Sequence, residues 1–157
     1  MKIAVIMGSK SDLPKLESGI EMIKKFGVEV VVRILSAHRT PVELSNFLEE
    51  IEDDTDVIIA AAGKAAHLPG VVAAQTLIPV VGLPIKSSTM DGLDSLLSMV
   101  QMPSGIPVAT VTIDSGANAA LMAIQIASVK YPELKVKLGD YRKEMADKVL
   151  ADDASIQ

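Results

Sequence analysis

Within the first 62 residues, three short apolar runs at 2–7, 28–35 and 57–62 alternate with two segments, 13–26 and 41–51, whose apolar positions recur at helical spacing. Few folds accept that rhythm. Strands of Val, Ile and Ala without polar alternation are buried on both faces, and neighbouring parallel strands need a long, usually helical, crossover between them. The pattern continues with a short helix at 68–76, a strand at 79–83, a helix at 91–100, a strand at 108–113 and a helix at 118–130. Strict alternation with short connections predicts an α/β fold, a three-layer doubly wound parallel sheet, with strand order 2-1-3-4-5. Local signals agree: Ser11 or Asp12 and Thr40 stand as N-caps, Pro14 and Pro41 fall in first turns, and Gly27 stops the first helix. Residues 1–130 then form the core of a single domain spanning 1–157. Residues 131–157 supply a C-terminal helix and tail beyond what the sheet needs, suited to an intersubunit contact.

Composition narrows the class further. The chain has 157 residues, 49% hydrophobic but only 3% aromatic, and a mean hydropathy of +0.37. It can bury a full core without disulfides, and it carries more apolar surface than a small monomer hides, so a homo-oligomer is expected. With no cysteine, thiol nucleophiles and thiolate metal sites are excluded. A net charge of −5 with scattered cations argues against nucleic-acid binding. No run reaches about 18 apolar residues, so neither a membrane span nor a signal segment is predicted, and a cytoplasmic location is expected. Two polar breaks, 83–92 and 102–107, read as mobile or interfacial.

Three loops follow the first three strands and would open on one edge of the sheet, where such sheets bind ligands. In Gly8-Ser9-Lys10-Ser11-Asp12, hydroxyls and backbone N–H groups at a helix start suit a phosphate, although the same residues make an ordinary capped turn. Asp12 repels phosphate and is better suited to accept hydrogen bonds from sugar hydroxyls. In Ser36-Ala37-His38-Arg39-Thr40-Pro41, a histidine stands beside an arginine able to grip an anion with a bidentate fork. In Gly63-Lys64-Ala65-Ala66-His67-Leu68-Pro69-Gly70, small residues let backbone approach a planar ligand closely. His67 reads as a hydrogen-bonded structural residue as readily as a catalyst. Arg39, Lys10, Lys64 and Lys86 are the loop cations available to an anionic ligand. The motifs for ATP, dinucleotides, the serine nucleophile elbow and a zinc protease are all missing.

These loops resemble those of the 5-(carboxyamino)imidazole ribonucleotide mutases of bacterial purine biosynthesis. The likeness rests on Met7-Gly8-Ser9-Lys10-Ser11-Asp12, on 36–41, on 65–70, and on Asp94-Ser95-Leu96-Leu97-Ser98-Met99-Val100-Gln101-Met102-Pro103 followed by Gly105-Ile106-Pro107-Val108-Ala109-Thr110. It implies a flavodoxin-like fold, a homo-octamer, and an isomerase moving a carboxylate from the exocyclic amine of an aminoimidazole ribonucleotide to a ring carbon in IMP biosynthesis. No metal or organic cofactor is implied. An ATP-dependent synthetase upstream would supply the labile carbamate.

The resemblance assigns Ser9 and Asp12, with Gly8 and Ser11 of the same loop, to ribonucleotide binding, Arg39 to the phosphate, and His38 to proton transfer. Ser36, Ala37, Gly63, Ala65, Ala66 and Leu68 would shape the pocket, and His67 would orient it. One departure stands out: Lys64 occupies a position where the resemblance leads one to expect glycine, in an Ala-Gly-Gly-Ala-Ala-His pattern. A cation there either crowds the loop or reaches the migrating carboxylate. Two other readings stay open: a carboxylase that uses aminoimidazole ribonucleotide and carbon dioxide directly, and a nonenzymatic nucleotide-binding module.

Overall fold

The computed structural model describes residues 1–88 and 90–157, so the polar break at 83–92 includes one position, Thr89, outside the described residues. Five parallel strands, β1 (Lys2–Met7), β2 (Glu29–Ile34), β3 (Val57–Gly63), β4 (Val80–Ile85) and β5 (Ala109–Thr110), form one sheet in the order β2-β1-β3-β4-β5. Between and after them run α1 (Leu13–Lys25), α2 (Pro41–Ile51), α3 (Leu68–Ala73), α4 (Leu93–Val100), α5 (Gly116–Ala127) and α6 (Glu133–Ala154). The three-layer flavodoxin-like sandwich is as expected.

Alternate residues of the central strands feed two separate cores. Ile3, Val5 and Met7 of β1 and Val57, Ile59 and Ala61 of β3 pack with α1, α5 and α6. Ala4 and Ile6, with Ile58, Ala60 and Ala62, pack with α2 and α3. Both faces of each central strand are therefore apolar, as a sheet covered by helices on both sides requires. The edge strand β2 differs: Val32 is 37% and Ile34 50% exposed, and the strand also carries the charged Glu29 and Arg33.

Several boundaries differ from the sequence reading. The last strand shrinks to Ala109–Thr110, because at the sheet edge it pairs only with β4 through Val81 and Gly82. The third helix stops at Ala73 rather than residue 76. There Thr76 turns its hydroxyl to Glu52 at 2.6 Å and accepts the N–H of Ile78, a local bond that competes with helix continuation. The caps also move. Neither Asp12 nor Thr40 makes a side-chain cap bond, whereas Ser115 accepts the N–H of Asn118 and starts α5 two residues early.

Candidate active site

Every strand-to-helix loop opens at the carboxyl edge of the sheet, and the loops after β1 and β3 diverge where the strand order reverses, leaving a crevice. A cleft of about 710 Å³ lies there.

Its first wall is the loop after β1. Ser9, in extended conformation, caps a short 3-10 turn over Lys10–Asp12 by accepting the N–H of Ser11. The Ser11 hydroxyl lies 2.9 Å from Ser9 Oγ and 3.3 Å from Asp12 Oδ1. This extra turn does the capping expected of Asp12 and leaves that carboxylate on the cleft wall. Burial pushes the Asp12 carboxyl above its ordinary range, against hydrogen bonds from Ser11 and Ser9 and the charge of Arg39. A carboxylate raised in this way costs stability when ionised, a pattern suited to a ligand acceptor.

The loop after β2 is a closed turn. The N–H groups of Thr40 and Arg39 donate to Ser36 O and Ser36 Oγ, while the Ser36 N–H donates to Thr40 Oγ1 at 2.8 Å. Thr40 is thus spent inside the turn rather than on the helix. Arg39 reaches across to the first wall, donating from Nη2 to the Gly8 carbonyl at 2.6 Å and from Nε to Ser36 Oγ at 3.4 Å.

The loop after β3 forms the floor. Gly63 lets β3 and β4 approach closely, since a Cβ there would meet the Ile85 carbonyl oxygen at 3.2 Å. Lys64 has a φ of +58°, the left-handed conformation that glycine adopts without strain. Its carbonyl accepts the N–H of Ala66 at 2.9 Å in a tight turn. Ala66 and Leu68 are 2% and 4% exposed and anchor the floor in the core. His67 occupies the cap position of α3 without a side-chain cap bond. Its Nδ1 lies 3.0 Å from His38 Nε2, with the two rings nearly perpendicular at 89°.

All the residues expected at the site therefore share one cleft: Gly8, Ser9, Ser11, Asp12, Ser36, Ala37, His38, Arg39, Gly63, Ala65, Ala66, His67 and Leu68. Of the four loop cations, Lys64 and Lys86 line it as well, whereas Lys10 does not. The sequence reading did not assign the fourth wall, formed by Ile85, Lys86, Ser87 and Ser88 after β4. The signal for it was the strand order itself, which puts the end of β4 beside the end of β3. Asp114 fixes this wall, accepting the Lys86 N–H at 2.8 Å and pairing with Lys15 at 2.7 Å. Burial works to raise its carboxyl, but those bonds and the two lysine charges hold it below the ordinary range. Among the described residues, no group of three or more His, Asp or Glu is placed to hold a metal ion.

The model of the family described as AIR carboxylase matches residues 2–148. The chain belongs to that family. It is 55% identical over 145 residues to the N5-carboxyaminoimidazole ribonucleotide mutase of Pyrococcus abyssi, covering 92% of this chain and 83% of that one. To the mutase of Methanocaldococcus jannaschii it is 51% identical over 157 residues, covering 99% and 97%. The crystal structure of Treponema denticola PurE superposes with a TM-score of 0.91 at 32% identity, covering 99% of this chain and 98% of that one. Family membership thus extends over the loops that build the cleft as well as over the sheet.

Proposed function

We propose that the protein is an isomerase of purine biosynthesis that converts 5-(carboxyamino)imidazole ribonucleotide to 4-carboxy-5-aminoimidazole ribonucleotide. The observation that carries this reading is the His38–His67 contact at 3.0 Å inside a cleft that also holds Arg39, Ser9 and Asp12. Arg39 and the hydroxyls of Ser9 and Ser11 receive the phosphate end, and the Asp12 carboxylate accepts from the ribose. His38 is the proton carrier. It protonates the carbamate nitrogen as the C–N bond breaks and carbon dioxide is released. The enamine carbon of the ring then attacks carbon dioxide, and His38 takes back the proton that this carbon must lose to restore aromaticity. His67 sets the tautomer of His38 by donating to, or accepting from, its Nε2. Proton and carboxylate are both returned within the turnover, so the chemistry needs no external acid or nucleotide.

The test is to mix the protein with the N-carboxylated substrate in the absence of ATP, metal and bicarbonate. The expected result is the carbon-carboxylated isomer, formed faster than spontaneous decarboxylation. Product appearing only from aminoimidazole ribonucleotide and high bicarbonate would instead support direct carboxylation.

The same reading places the enzyme downstream of an ATP-dependent synthetase that makes the carbamate, in the cytoplasm, as a homo-octamer; of residues 131–157, the start of α6 packs on the chain's own core through Leu134 and Leu138, and only its exposed far end is free to lie between subunits. Among the described residues, no helix is long and apolar enough to cross a membrane. Apolar side chains left outside suit a large assembly: Val32 and Ile34 on β2, Leu93, Leu97 and Val100 on α4, and Val149 and Leu150 on α6 are each at least 37% exposed. Sedimentation is expected to give one species of about eight times the 16.6 kDa chain, and a monomer would remove this part of the proposal.

A further inference from the structure

Lys64 combines three features that do not occur together elsewhere in the cleft. Its backbone is left-handed, with φ at +58°, a conformation that strains an L side chain and that glycine adopts freely. The residue lines the cleft and is exposed. Among the described residues it is also the cleft cation without a partner. Arg39 is held by Gly8 and Ser36, and Lys86 pairs with Asp91 at 2.9 Å. A strained position occupied by an unpaired cation at the floor of a ligand cleft is well placed to recognise an anion.

We infer that Lys64 recognises the carboxylate of the substrate and makes this enzyme discriminate carboxylated ribonucleotides from their decarboxylated counterpart. The inference rests on the mutase reading of the cleft and adds a specificity-determining residue to it. The placement of the loops gives the reason. If the phosphate and ribose are held by the loops after β1 and β2, the imidazole ring reaches the His38–His67 pair. The remaining charged group of the substrate then faces the loop after β3, three residues ahead of His67, where Lys64 stands. An ammonium on a flexible stem matches a carboxylate that must leave one atom and rejoin another, because a point charge does not require one fixed bidentate geometry. The neutral carbon dioxide between the two carboxylates forms no ion pair. Lys64 therefore contributes to binding substrate and product, and it takes no part in the bond-breaking and bond-forming steps, whose proton balance is complete with His38.

Equilibrium binding tests this separately from turnover. Calorimetric titration would compare 4-carboxy-5-aminoimidazole ribonucleotide with aminoimidazole ribonucleotide on the parent protein, Lys64→Met and Lys64→Arg, with circular dichroism to verify that each variant is folded. Lys64→Met is expected to weaken the carboxylated ligand about fivefold to tenfold, the scale of a partly exposed charge-assisted contact. The decarboxylated ligand should change less than twofold, and Lys64→Arg should retain most of the preference. Equal weakening of both ligands would overturn the inference by placing Lys64 on the phosphate, and no change in either would overturn it outright. A parent that binds and prefers the carboxylated ligand yet converts nothing would refute the mutase reading while leaving the Lys64 comparison valid. A parent that binds neither ligand would refute both.

Discussion

His38 and His67 come from different loops, and their contact at 3.0 Å explains why neither role was legible from its own neighbours. Replacing His38 by Asn keeps a hydrogen-bonding side chain but removes the proposed proton carrier. Turnover of the N-carboxylated substrate is expected to fall at least about a hundredfold while product still binds, measured by steady-state rates beside calorimetry; near-normal turnover would take His38 out of the mechanism. Lys64 tests a different balance. Because φ is +58°, Lys64→Gly relieves backbone strain, partly offset by the greater freedom of glycine in the unfolded chain. A gain of roughly 0.5–1 kcal/mol is expected, seen as a rise of about 1–4 °C in melting temperature at fixed protein concentration. The variant would be more stable and less selective, a common relation at binding sites. The resemblance marked Lys64 as a departure, but only the backbone angle explains why glycine suits this position.

At the scale of elements, the crossing of α1 and α5 positions the first wall of the cleft, since α1 begins immediately after Asp12. Two glycines make the approach possible. A Cβ on Gly19 would lie 2.8 Å from the Gly116 carbonyl carbon, and one on Gly116 would lie 3.2 Å from Leu16 Cα. Both obstacles are backbone, which cannot rotate away. Gly19→Ala is therefore expected to cost about 2 kcal/mol or more despite the better helix propensity of alanine, read as a lower urea midpoint; an unchanged midpoint would show that the helices separate easily. Neither glycine was read from the sequence as a packing residue, because the partner of each is nearly a hundred positions away. The cap, helix and strand boundaries were misread for other reasons: Thr40 is taken up by the nearby Ser36, Thr76 by Glu52, and β5 is limited by its place at the sheet edge.

Across the whole molecule, Asp56 at the head of β3 joins three regions. It accepts the Lys2 N–H at 2.9 Å, pairs with Lys130 at 2.8 Å and accepts the Tyr131 hydroxyl at 3.1 Å. Burial works to raise its carboxyl, but the bonds to Lys130, Lys2 and Tyr131 take it below the ordinary value of 3.8. A depressed folded-state value means that this stabilisation is complete above the ordinary value and is lost as pH falls through the lowered one. Asp56→Asn is expected to cost about 1–3 kcal/mol at neutral pH. Its deficit in melting temperature relative to the parent should shrink as pH is taken below about 4. A deficit independent of pH would mean that the carboxylate charge is not what holds the three regions together.

The sequence by itself determined the layer architecture, because continuous apolar runs, period-3.6 segments and short connections are local properties that leave little topological choice, and the strand order expected from it is the one found. It also determined which three loops share an edge, since every such loop in a parallel sheet lies at the carboxyl ends of its strands. The tertiary structure decided how those loops meet. The grip of Arg39 on Gly8, the pairing of His38 with His67, and the fourth wall held by Asp114 all join residues 28 or more positions apart. Such contacts depend on crossover geometry and side-chain direction, which no periodicity in the chain encodes.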